Sequence, residues 1–136
     1  MNTKKTSHII SIEERSSDSR GSIKSVMDGS FSNVSIITCE PKTIRSNHLH
    51  FTDTHHMYVL KGKIEYFYIN PEGAMVHFEV VEGQTVFTPS DEFHATYFPV
   101  KTTLIVASKN PRDQETYESD TIRKEIISIE SVQELL

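Results

Sequence analysis

Apolar and polar positions alternate along this chain in short runs, broken at close intervals by turn-forming residues. The alternation predicts strands over residues 8–12, 23–27, 33–40, 57–60, 63–70, 76–81, 85–88, 94–98 and 103–108. In the 33–40 run, Val34, Ile36 and Thr38 share one face. Between the runs stand Lys61-Gly62, Pro71-Glu72-Gly73, Glu82-Gly83 and Pro89-Ser90-Asp91, all residues that accept turn geometries. Residues 13–22 are polar and contain Asp18, Arg20 and Gly21, which reads as a loop. A polar tail begins near residue 109, and residues 131–136 are expected to form a short helix. Many short strands joined by Gly or Pro turns imply an all-β barrel or sandwich.

Length adds that the 136 residues fit one domain, with a barrel core over about 23–108, a leading strand and loop over 8–22 and a tail over 109–136. The net charge of -5, from 19 acidic and 14 basic residues, argues against nucleic acid as a partner. Cys39 is the single cysteine, so no intrachain disulfide forms, and it reads as a small buried hydrophobe. Residues 1–7 are polar, and no apolar run has the length of a signal or membrane segment, so a soluble, cytoplasmic protein is expected.

The chemistry lies in histidine. Four of the seven histidines, His48, His50, His55 and His56, crowd into one short stretch. His48 and His50 are two apart on an expected strand, so both imidazoles leave the same face. Two adjacent imidazoles suit a divalent metal such as Fe, Mn, Ni, Zn, Cu or Co, with a further ligand from a neighbouring strand. Barrel-lining histidines acting directly as acid or base are the other chemical use of such a set.

The spacing resembles the cupin superfamily. Its first motif runs Gly, five residues, His-x-His, three or four residues, Glu, six residues, Gly. Here His48-Leu49-His50 is followed by four residues, His55, six residues and Gly62. Its second motif runs Gly, five residues, Pro-x-Gly, two residues, His, three residues, Asn. Here Gly83 is followed by five residues, Pro89-Ser90-Asp91, two residues and His94. Lys42 and Asp91 replace two motif glycines, Phe98 replaces the closing asparagine, and His55 takes the place of the metal-binding glutamate. The resemblance implies a double-stranded β-helix, a jelly-roll barrel that pairs into a homodimer. It also implies a metal held by His48, His50 and His94, with His55 as the expected fourth ligand. An imidazole-only set leaves the metal charge unbalanced and favours a small anionic ligand. His56 and Tyr58 share the opposite face.

In such a barrel the ligand pocket is the interior. On the 63–70 strand either Tyr66 and Tyr68 or Glu65, Phe67 and Ile69 line it, because a shift of one residue swaps the sets. Arg20, Tyr66, Phe67, Phe87 and Tyr97 are the candidates for substrate contact. Asp18-Ser19-Arg20-Gly21 and the 117–123 stretch are similar to segments of nucleotide-sugar cupins, among them deoxysugar 3,4-ketoisomerases and 3,5-epimerases. The resemblance therefore implies an isomerase or epimerase acting on a sugar, sugar nucleotide or sugar acid. An iron dioxygenase and a ligand-binding module without catalysis are the alternatives.

Overall fold

A computed structural model describes residues 5–136. Its strands are β1 (His8–Ile10), β2 (Glu13–Asp18), β3 (Gly21–Ser25), β4 (Asn33–Cys39), β5 (Thr43–His50), β6 (His55–Lys61), β7 (Lys63–Ile69), β8 (Met75–Val81), β9 (Thr85–Thr88), β10 (His94–Phe98) and β11 (Thr102–Ser108). The tail adds α1 (Gln114–Ser119), β12 (Thr121–Arg123) and α2 (Ile129–Leu135). Two antiparallel five-stranded sheets face each other, in the orders β1-β9-β6-β11-β4 and β12-β5-β10-β7-β8. This is the cupin-type jelly-roll barrel that the alternation and the motif spacing imply.

Between the sheets, Val59, Ile64, Tyr66, Val80, Val86, Phe98 and Val106 are fully buried in one apolar core. A second cluster, Phe67, Ala95, Tyr97, Ile127 and Val132, lies where the tail covers the outer face of β10 and β7. β7 and β10 are therefore buried on both faces, β10 at every position. The Ser128 side chain caps α2 by accepting from Ser131 N, and Val132 is the helix's buried anchor.

The four motif positions that favour glycine all have left-handed backbone: Lys42 (φ 62), Gly62 (φ 96), Gly83 (φ 87) and Asp91 (φ 61). Lysine and aspartate thus occupy glycine conformations, and the turn geometry outlasts the residue change. At Gly62 a Cβ would lie 2.5 Å from Thr102 Oγ1 and 2.6 Å from Lys101 O, so no side chain fits there.

Three local expectations change. Residues 13–22 are not a loop, because β2 and β3 form a hairpin, exposed along β2 and nearly all of β3. Its polar residues show no apolar alternation, since neither face packs on the barrel. The polar stretch after residue 109 contains α1, with Asp113 as N-cap, and then β12. Last, β5 carries a bulge against β10: His94 pairs with His48 but Ala95 pairs with Ser46, leaving Asn47 as the extra residue. Ser46 (φ 75) and Asn47 (φ 54) both take left-handed backbone there. Among the described residues, no helix is long and apolar enough to cross a membrane.

Candidate functional site

Strand parity and the β5 bulge bring four imidazoles together inside the barrel. His48 and His50 leave the inner face of β5, His94 stands beside them on β10, and His55 opens β6 on the facing sheet. Their ring centroids are 4.5 Å apart for His48–His50, 4.9 Å for His48–His94 and 5.1 Å for His50–His55. None is more than 5% exposed.

Burial, followed by repulsion from neighbouring rings, depresses the basicity of His48, His50 and His94. His48 is pushed down to about 2 by burial and then by His94, His50 and His55. His50 is pushed down to about 4 by burial and by His55, with Asp53 and Asp120 pulling the other way. His94 falls to about 3, again through burial, against a hydrogen bond to the Glu92 backbone that raises it. At neutral pH these three rings are uncharged.

Asp53, in the turn before β6, joins the cluster and is the residue there that sequence reasoning missed. Its carboxylate is 5% exposed, and Oδ2 lies 2.9 Å from His55 Nε2. Oδ1 accepts from Asn110 N at 2.9 Å. Burial works against the charged form, yet the hydrogen bonds and the His55 ring hold the acid below its ordinary value. A carboxylate only accepts, so His55 donates from Nε2 and its Nδ1 is left bare in the neutral ring. His94 Nδ1 lies 3.1 Å from the Glu92 carbonyl, which likewise only accepts, so His94 presents a bare Nε2. Two further buried ring nitrogens, His48 Nδ1 and His50 Nε2, have no hydrogen-bond partner.

Beside the cluster lies a cavity of about 110 Å³, edged by Arg45, His48, His55, Thr96, Arg112 and Tyr117 with apolar walls from Met57, Phe98 and Leu104. The bulge puts Arg45, three positions before His48, on the same side. Arg45 donates to the Thr38 carbonyl at 3.2 Å, and the Arg112 guanidinium lies 5.5 Å from the Tyr117 ring centre. Neither arginine has a carboxylate partner among the described residues. The Tyr117 ring in turn covers His50 at 5.0 Å and His48 at 6.1 Å.

The donor atoms that converge within 4.8 Å of one another belong to His50, Asp53 and His55. Of the four expected ligands, His50 and His55 fall in this group together with a carboxylate, whereas His48 and His94 lie beside it. The buried, unpartnered Nε2 of His50 and the mixed nitrogen and oxygen donors fit a divalent cation.

The expected pocket residues divide. Tyr66 faces the interior, stacked parallel to His94 at 6.2 Å, with its hydroxyl bonded to Ser7 and Thr88 at 2.7 Å each. It supports the cluster from below and does not edge the cavity. Phe67 and Tyr97 take the opposite parity and pack outward under α2. Phe87 lies on the outer face of the other sheet, against His8 and His56 at 5.6 and 5.1 Å. Arg20 is at the tip of the β2–β3 hairpin, 88% exposed at its side chain and paired with Asp18 at 2.6 Å. His56 faces away from the cluster, as parity requires.

No family model matches the chain, and no curated protein sequence matches it. Solved structures do. The 3,4-ketoisomerase QdtA from Thermoanaerobacterium thermosaccharolyticum, in complex with TDP, superposes with a TM-score of 0.70 at 14% identity, covering 96% of this chain and 97% of that one. WlaRB, a TDP-quinovose 3,4-ketoisomerase from Campylobacter jejuni, gives 0.72 at 16% identity, covering 89% and 95%. The capsular polysaccharide assembling protein CapF from Staphylococcus aureus gives 0.64 at 18% identity, with this chain matching 33% of its length. At these identities the likeness is one of fold.

Proposed function

We propose that this protein is a sugar isomerase of the cupin fold, moving a carbonyl between adjacent carbons of a nucleotide-linked keto-sugar. The observation that carries the reading is the buried Asp53–His55 pair, set among the uncharged rings of His48, His50 and His94 beside a cavity with two arginines that have no carboxylate partner among the described residues. The full-length likeness to two 3,4-ketoisomerases supports the substrate class.

Such an isomerisation shifts one proton from carbon to neighbouring carbon and one from hydroxyl to carbonyl oxygen. Asp53 accepts a hydrogen bond from His55 Nε2, which keeps the ring in the tautomer whose Nδ1 is bare. His55 takes the proton from the carbon next to the carbonyl and returns it to the former carbonyl carbon. The neutral ring of His48, across the cavity, carries the oxygen-bound proton. Arg45 and Arg112 hold the negative charge that develops on the enediolate oxygens. The expected substrate contacts are thereby reassigned from Arg20, Phe67, Phe87 and Tyr97 to the residues edging the cavity.

A metal-assisted version is favoured by one observation, the unpartnered Nε2 of His50 beside Asp53 and His55. A divalent cation held there would polarise the sugar carbonyl as a Lewis acid. A cation held by this group would take the lone pair of His55, so in that version the ring would be a ligand and not the base.

The test is incubation with TDP-4-keto-6-deoxyglucose in deuterated water, followed by proton NMR. Deuterium entering beside the carbonyl, together with a 3-keto product, is expected. Absence of both, with folded protein and with several divalent metals supplied, refutes the isomerase reading. Elemental analysis of the purified protein beside a His48→Ala/His50→Ala control decides the metal. Stoichiometric metal in the first sample alone is the expected result, and none in either removes the metal-assisted version.

A further inference from the structure

The tail returns to the cluster at one side chain. In the ladder between β12 and β5, Thr121 pairs directly with His50, and its Oγ1 lies 3.1 Å from His50 Nδ1. The same Oγ1 makes a short contact to the Tyr117 carbonyl in α1. A threonine hydroxyl has one hydrogen, and a carbonyl oxygen can only accept. The hydrogen therefore goes to Tyr117 O, and toward His50 the hydroxyl presents a lone pair. His50 Nδ1 must donate to it. A neutral imidazole carries one N–H, so His50 Nε2 is bare, and that is the atom buried without a partner beside Asp53 and His55.

We propose that Thr121 is a positioning residue, fixing His50 in the tautomer whose Nε2 lone pair faces the site. Its place in the chemistry rests on the isomerase reading above; the tautomer itself does not. The neighbouring residue shows that the segment is built toward the cluster. Asp120 accepts from Thr52 N, Thr52 Oγ1 and Asp53 N at 3.0, 2.8 and 3.0 Å. Adjacent tail residues thus hold the ring of His50 and the turn that carries Asp53. Partners that orient a ligating or reacting imidazole usually matter about 10- to 100-fold in metal affinity or activity.

The experiment uses the full chain labelled with nitrogen-15, near neutral pH and free of metal. Long-range proton–nitrogen correlation spectra report which ring nitrogens carry hydrogen, and His50→Gln assigns the His50 signals. We expect Nδ1 protonated and Nε2 bare in the unaltered protein and in Thr121→Ser. Thr121→Val keeps the shape without the hydroxyl, and should move the proton toward Nε2 and slow substrate proton exchange about 10- to 100-fold. A His50 protonated at Nε2 in the unaltered protein overturns the proposal, whether or not the valine variant folds. So does a valine variant whose His50 is indistinguishable from the unaltered one. The expected tautomer in a protein that moves no substrate proton, even once divalent metals are supplied, upholds the positioning role and refutes the isomerase reading instead.

Discussion

At the scale of single residues, the proposed chemistry depends on where protons sit. His55 and His94 each meet an atom that can only accept, so their bare nitrogens follow from bonding inventory. Asp53→Asn tests the consequence. An amide in place of the carboxylate removes the acceptor charge and lets His55 take the other tautomer. Proton exchange should fall by about 10²- to 10⁴-fold with little change in substrate affinity, measured by NMR exchange and by titration. A variant retaining most of its exchange rate would place the base elsewhere. The histidines were legible because two-residue spacing on a strand has one geometric outcome. Asp53 was not, since a Thr-Asp-Thr turn is ordinary surface sequence. Its only signal is a position two residues before His55 in a chain already dense with imidazole. Phe67 and Tyr97 misled for a physical reason: with the tail covering the outer face, both parities of β7 and β10 are buried, and alternation no longer tells inside from outside.

At the scale of elements, turns and the bulge set the site's register. Gly62 joins β6 to β7 with φ 96 and no room for a Cβ. Gly62→Ala should cost about 2–4 kcal/mol by combining left-handed strain with a backbone clash. Lys42→Gly, at an exposed position with φ 62, should stabilise by about 1 kcal/mol. Urea midpoints measure both, and an unchanged Gly62→Ala midpoint would mean that the turn re-forms. The bulge on β5 has its own lock. Asn47 accepts from Ile126 N and Ile127 N at 2.9 and 3.2 Å, and donates to Ile127 O at 3.1 Å. Turn residues announced the β6–β7 and β8–β9 turns, whereas a bulge leaves no mark in hydrophobic pattern. The β2–β3 hairpin escaped notice because it buries nothing.

At the scale of the whole molecule, the cluster couples stability to acidity. Folding lowers the pKa of His48, His50 and His94 from 6.5 to about 2, 4 and 3. The unfolded chain therefore binds protons first as pH falls. Stability contributed by these rings is complete above pH 6.5 and declines below it, by up to about 1.4 kcal/mol per pH unit for each ring. Denaturation midpoints of metal-free protein should drop between neutrality and about pH 4, less steeply in His48→Gln; a parallel drop would deny the cluster that role. The outer surface predicts association: β4 is a sheet edge, with Val34 63% and Ile36 75% exposed, which suits pairing with a second copy. Sedimentation should show a dimer that Ile36→Lys shifts toward monomer, and an unaltered protein sedimenting as monomer would count against it. The barrel was legible from strand spacing and motif register, while its closure by the tail was not. That closure has a consequence in time. All four histidines and Asp53 are synthesised before Asp120, Thr121 and the Ile126–Ile127 anchor. On the proposal above, a nascent chain that has reached His94 holds the whole imidazole cluster before it holds the side chain that aims His50.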